Sequence, residues 1–156
     1  GVEGMKIRVL VVDDEEEFVG PLKERLELRE MDVSTATTGE GALEKIKNYN
    51  YDVVILDIVM PGMDGIEALK LIKRDKPLTE VIMLTGHATV ESAIDGMKWG
   101  AFDYLMKPTR TDELIGKVTR AYARKAEQEE RIIQAKTEEI STSPWSALKD
   151  REKKKK

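Results

Sequence analysis

The chain has 156 residues, of which 40% are hydrophobic and 36% charged, with a net charge of -4 and no cysteine. That length suits one ordinary domain plus an appendage. The composition excludes disulfides, zinc–thiolate sites and thiol catalysis, and the small net charge gives no global argument for direct nucleic acid binding. No apolar run approaches the ~20 residues of a membrane span. The opening Gly1-Val2-Glu3-Gly4 lacks the basic and apolar regions of a signal peptide, so a cytoplasmic location without membrane contact is expected.

Along the chain, aliphatic runs alternate with helical stripes. Ile7 to Val12 is a continuous aliphatic run, as in a strand covered on both faces. Glu15 to Arg29 places Phe18, Leu22 and Leu26 on one helical face, and Asp32 to Ala36 reads as a short β-branched strand. Gly39 to Asn48 carries Ala42, Leu43 and Ile46 at helical spacing, Val53 to Leu56 is a buried strand, and Gly65 to Lys73 is a helix with Ile66, Leu69 and Ile72. Val81 to Leu84 is the fourth strand. Val90 to Lys98 is a helix with Val90, Ala93, Ile94 and Met97 predicted inward, ended by Trp99-Gly100. Tyr104 to Met106 is the last strand, and a helix from Thr111 turns Leu114, Ile115, Val118 and Tyr122 inward. Five strand–helix units predict an α/β fold, a flavodoxin-like doubly wound parallel sheet in the order 2-1-3-4-5, with an extended last helix; a closed barrel needs eight units. Residues 124–140 are dense in charge and read as a solvated extension of that helix. Residues 141–156, with Trp145, Leu148 and a basic end, read as a flexible basic tail.

The polar residues that end these strands carry the chemistry. Asp13-Asp14 follows the first strand, Asp57 the third, Thr85 ends the fourth and Lys107 the fifth. In an open parallel sheet, that edge is where ligands bind. Three carboxylates in one crevice repel each other, and a hard divalent cation, best Mg2+, is the simplest compensation. A hydroxyl and an ammonium beside it form a clamp for a phosphoryl group, and a carboxylate there is a candidate nucleophile.

Asp13-Asp14, Asp57 with Met60-Pro61-Gly62-Met63-Asp64-Gly65, Thr85-Gly86 and Lys107-Pro108 together resemble the signature of the receiver domain of bacterial response regulators, over residues 5–123. The stretches from Thr85 to Val90 and from Tyr104 to Pro108 resemble receivers of the nitrogen-regulator (sigma-54 activator) class. The resemblance implies that Asp57 accepts a phosphoryl group from a sensor histidine kinase or phosphotransfer protein. It further implies Mg2+ held by Asp14, Asp57 and the Val59 carbonyl, with Asp13 acting through a metal-bound water. Lys107 would pair with the phosphoryl oxygens. Thr85 and Tyr104 would form the switch, and Lys107-Pro108 would be a cis peptide. The face of the fourth helix, fifth strand and fifth helix would carry the signal, with a homodimer through it as one outcome, and the first helix would meet the kinase. Val59 cannot orient a water by hydrogen bonding, so slow self-dephosphorylation is expected.

Simpler readings stand beside these. Asp14 to Glu17 fits a capping box for the first helix, Thr85-Gly86 a turn, His87 a loop residue, and Met60 and Met63 loop packing. A rival function is an aspartyl-phosphate phosphatase-like enzyme of similar fold, but that chemistry wants an acid two residues beyond the nucleophile, where Val59 stands. A flavodoxin would want a hydroxyl- and glycine-rich phosphate loop, and Asp13-Asp14-Glu15-Glu16-Glu17 repels phosphate. A receiver that is not phosphorylated would lack some of the five key positions, and all are filled. The module is therefore expected to signal rather than turn over substrate, either as a stand-alone regulator or as the excised N-terminal part of a transcription activator.

Overall fold

The structure, a computed structural model, describes residues 6–141. Ten elements alternate: β1 (Arg8–Val12), α1 (Glu16–Glu27), β2 (Asp32–Ala36), α2 (Gly39–Asn48), β3 (Val53–Leu56), α3 (Gly65–Asp75), β4 (Glu80–Thr85), α4 (Val90–Lys98), β5 (Asp103–Met106) and α5 (Thr111–Ser141). The strands are parallel throughout and ordered β2-β1-β3-β4-β5, the doubly wound order expected from the alternation of runs. Two compact units divide the chain, Gly1–Lys125 and Ala126–Lys156, and the sheet belongs to the first. Trp145, Leu148 and the basic run from Arg151 lie outside the described residues.

Successive side chains of a strand point to opposite faces, and each central strand feeds two cores. Val9, Val11, Val53, Ile55, Ile82 and Leu84 pack with Val19, Leu22 and Leu26 of α1 and with Leu114, Ile115, Val118 and Ala121 of α5. Leu10, Val12, Val54, Leu56, Val81 and Met83 pack on the other face with Ala42 and Ile46 of α2 and with Ala68, Leu69 and Ile72 of α3. Burial on both faces is why these strands read as unbroken aliphatic runs. Local chemistry fixes the helix starts. Thr38 Oγ1 accepts from Gly41 N at 3.0 Å, Asp64 Oδ1 from Glu67 N at 2.9 Å, and Thr89 with Ser92 closes a capping box on α4.

In α1 the buried stripe is Val19, Leu22 and Leu26, and Phe18, half-buried, packs on the same core as Leu22 and Leu26. One expectation fails. In α4, Val90, Ile94 and Met97 are 79%, 61% and 49% exposed, and Gly96 is the buried residue. The contact of α4 with the sheet is made by its small residue. A Cβ on Gly96 would lie 3.4 Å from the Tyr104 ring and 3.6 Å from Met83, so the larger residues occupy the outer stripe.

At the amino edge of the sheet, Asp52 and Glu80 are both buried. Asp52 accepts from Arg8 N, Nε and Nη2 at 2.8, 3.3 and 3.0 Å and from Lys125 Nζ at 3.1 Å. Glu80 pairs with Lys73 at 3.4 Å and with Arg124 at 2.7 Å, the latter an ion pair rather than an aligned hydrogen bond. Lys125 is buried in consequence, whereas residues 129–140 are exposed. No described helix is long and apolar enough to cross a membrane.

Candidate functional site

Strand register builds the site. Val12 is level with Leu56 in the β1–β3 pair, so Asp13 and Asp57 leave adjacent strands side by side. Asp57 N donates to Val12 O at 3.0 Å and Asp13 N to Ala36 O at 3.1 Å. Thr85 is level with Met106, and Lys107 N donates to Thr85 O at 2.8 Å. The four strand ends therefore present Asp13, Asp57, Thr85 and Lys107 along one edge.

Asp13 and Asp57 are each only 2% exposed, while Asp14 is exposed. One carboxylate oxygen from each of the three lies within 4.8 Å of the others. Lys107 Nζ donates to Asp13 Oδ2 at 2.6 Å and stands 3.7 Å from Asp57 Oδ2 and 3.9 Å from Glu15 Oε2. Asp13 Oδ1 accepts from Glu15 N at 2.9 Å, and Asp57 Oδ1 from Val59 N at 3.3 Å. Burial raises the Asp13 pKa above the usual carboxylate range. The charge of Asp57 adds to that, and the Lys107 and Glu15 hydrogen bonds only partly offset it. For Lys107, burial alone would favour the neutral amine, but the hydrogen bond to Asp13 and the charges of Asp13, Asp57 and Glu15 outweigh it and raise its pKa. Lys107 alone does not balance the three clustered carboxylates of Asp13, Asp14 and Asp57, so the cluster fits a hard, oxygen-seeking cation.

The loop after Asp57 is shaped around it. A Cβ on Gly65 would stand 2.1 Å from the Asp57 carbonyl oxygen, so only glycine permits Gly65 N to reach Ile58 O at 2.7 Å. Gly62 has a φ of 81°. Glu40, in the first turn of α2, accepts from Met63 N at 3.1 Å and braces the loop. Val59 is exposed and Met60 buried.

The remaining positions fall around this centre. Thr85 is fully buried and its Oγ1 accepts from His87 N at 3.1 Å. The Tyr104 hydroxyl lies 2.6 Å from Ser92 Oγ of α4, with its ring against the α2–α3 core. The Lys107–Pro108 peptide is cis. The capping box from Asp14 does not form. The N-cap is Glu15, without a side-chain bond, which puts Asp14 one residue before the cap. Glu40 has no signal in the sequence, where it looks like any acid in a first helical turn.

The family of response regulator receiver domains matches residues 9–119. The chain belongs to that family. It is 41% identical over 114 residues to the regulatory protein AtoC of Escherichia coli K12, covering 73% of this chain and 25% of that protein. It is 38% identical over 122 residues to the DNA-binding transcriptional regulator NtrC of the same strain, covering 78% and 26%. This receiver therefore spans about a quarter of the length of those relatives. In three dimensions it is similar to the beryllofluoride-activated NtrC4 receiver domain dimer, with a TM-score of 0.72 at 36% identity, covering 76% of this chain and 98% of that one. The likeness to AtoC and NtrC places the receiver with those of sigma-54 activators.

Proposed function

We propose that the receiver takes a phosphoryl group on Asp57 from a phosphohistidine of a sensor histidine kinase or phosphotransfer protein. The observation that carries this is the arrangement of buried Asp57 with Asp13 and Asp14 within 4.8 Å and the Lys107 ammonium 3.7 Å away. A carboxylate oxygen of Asp57 attacks phosphorus, the P–N bond breaks, and its electron pair returns to the imidazole, leaving an acyl phosphate. Asp14, Asp57 and the Val59 carbonyl would hold Mg2+ directly and Asp13 through water; when bound, the ion neutralises phosphoryl charge. Lys107 holds a phosphoryl oxygen, and the buried Thr85 hydroxyl turns to donate to another. No acid–base carboxylate follows Asp57 at position 59, so the residues favour a phosphorylated signal over turnover; any phosphorylation or dephosphorylation chemistry is self-catalysed.

Thr85 and Tyr104 would carry the change of state. Tyr104 is held by Ser92 at the amino end of α4, which ties β5 to the helix beside it. The exposed Val90, Ile94, Met97 and Met106 support a homodimer or effector contact through the α4–β5–α5 face. The receiver, residues 5–123, would act in the cytoplasm, with residues 124–140 as a solvated extension of α5. Incubation with acetyl phosphate and Mg2+, read by intact mass, tests the reading. A phosphoryl adduct forms on the wild type and not on Asp57→Ala; no adduct with any donor sinks it.

A further inference from the structure

We propose that Phe18 is a positioning residue that acts through Lys107, holding its ammonium toward Asp57 and away from the exposed Glu15. The inference rests on the reading of Asp57 as phosphoacceptor. Lys107 Nζ lies over the Phe18 ring, 4.1 Å from its centroid. The ammonium has two rival acids beyond Asp13: Asp57 at 3.7 Å, almost fully buried, and Glu15 at 3.9 Å, with a side chain 59% exposed. Water and Glu15 together would draw a free lysine outward. The aromatic face attracts the cation without using a hydrogen-bond donor, so the ammonium keeps its protons for Asp13 and for an incoming phosphoryl oxygen.

The place of Phe18 in α1 supports a role beyond packing. The buried stripe is Val19, Leu22 and Leu26. Phe18 sits one position off it, half-buried at the margin of the α1–α5 core, on the side where Lys107 arrives from the end of β5. An aliphatic residue would fill the same margin but offer no π face. Displacements of about 1 Å in a reacting group cost rates heavily, so a support of this kind shows in kinetics before it shows in folding.

The test compares Phe18→Leu and Phe18→Met with Phe18→Tyr. Uptake from acetyl phosphate with Mg2+ is measured with no protein donor present, so loss of a docking contact has no effect. The ε-methylene proton shifts of Lys107, assigned by their absence in Lys107→Met, report the ring directly. Melting temperature reports folding. Phe18→Leu is expected to slow uptake by about three- to tenfold and to remove the upfield ring-current shift of Lys107, with folding intact. Phe18→Tyr should stay within about twofold of the wild type. If Phe18→Leu unfolds, Phe18→Met carries the comparison. Unchanged uptake in Phe18→Leu, equal loss in Phe18→Tyr, or a Lys107 shift that does not move overturns the proposal. Should the wild type take up no phosphate at all, the function fails, and the Lys107 shift still decides whether Phe18 holds the lysine.

Discussion

Lys107 donates its hydrogen bond to Asp13, at 2.6 Å, and not to Asp57, which it approaches only to 3.7 Å. The cation of the site is thus committed to a neighbour of the proposed nucleophile, which leaves Asp57 to a metal and a phosphoryl group. Asp13 remains costly to ionise, since burial and the Asp57 charge raise its pKa. A carboxylate whose folded pKa lies above its unfolded value loses stability as pH rises from the ordinary carboxylate range through the raised value. Asp13→Asn should therefore stabilise the metal-free protein at neutral pH by roughly 1 kcal/mol, or about 2–4 °C in a chain of this size, and should weaken the stabilisation that Mg2+ confers on the wild type. Thermal melts with and without Mg2+ check both; a lower melting temperature in metal-free Asp13→Asn would refute the repulsion argument.

At the opposite edge the sign reverses. Hydrogen bonds from Arg8 and Lys125 outweigh the burial of Asp52 and hold its pKa below the usual value. Its contribution is then fully present above the unfolded carboxylate pKa and is lost as pH falls through the depressed one. Asp52→Asn removes the buried carboxylate that Arg8 and Lys125 share, and about 3 kcal/mol should be lost at pH 7. The difference from wild type should shrink at strongly acid pH. Urea unfolding at the two pH values measures it, and a pH-independent difference would contradict the pairing.

Gly65 admits no side chain, because a Cβ would sit 2.1 Å from the Asp57 carbonyl oxygen. Gly65→Ala must push the loop away from β3, at a cost of about 2–3 kcal/mol, and should slow phosphoryl uptake by displacing Asp57. Denaturant melts and acetyl phosphate kinetics on the same preparation should move together. Normal stability would show that the loop yields freely.

Val59 follows Asp57 by two residues and is 49% exposed, so an apolar group faces the water that would attack the acyl phosphate. Val59→Asn supplies a hydrogen-bonding group there and should shorten the phosphate lifetime several-fold. Decay of the adduct after removal of the donor, followed by mass, measures this; an unchanged decay would remove Val59 from any role in timing.

The strands were legible because a parallel sheet covered on both faces demands unbroken aliphatic runs, and Val9 to Val12 and Val53 to Leu56 supply them. The placing of the candidate site was legible for a related reason: Asp13, Asp57 and Thr85 each follow or end such a run, Lys107 follows the shorter, partly exposed β5, and strand order sets them side by side. What escaped were pairs with no local spacing. Asp52 and Lys125 meet across 73 positions, and Glu40 reaches Met63 across 23. The inward face of α4 is hidden from the sequence because Ile94 and Val90 look like core, whereas the close approach depends on Gly96, whose missing side chain leaves no trace in a hydrophobic pattern.

The central claim is that Asp57 itself carries the phosphoryl group, and trapping the acyl phosphate tests it most directly. Borohydride reduces an aspartyl phosphate to homoserine, which peptide mass locates to a residue. After incubation with Mg2+ and acetyl phosphate, homoserine is predicted at position 57 and nowhere else, and none without a phosphoryl donor. Homoserine at position 13 or 14, or a phosphoryl adduct that resists borohydride, would contradict the assignment.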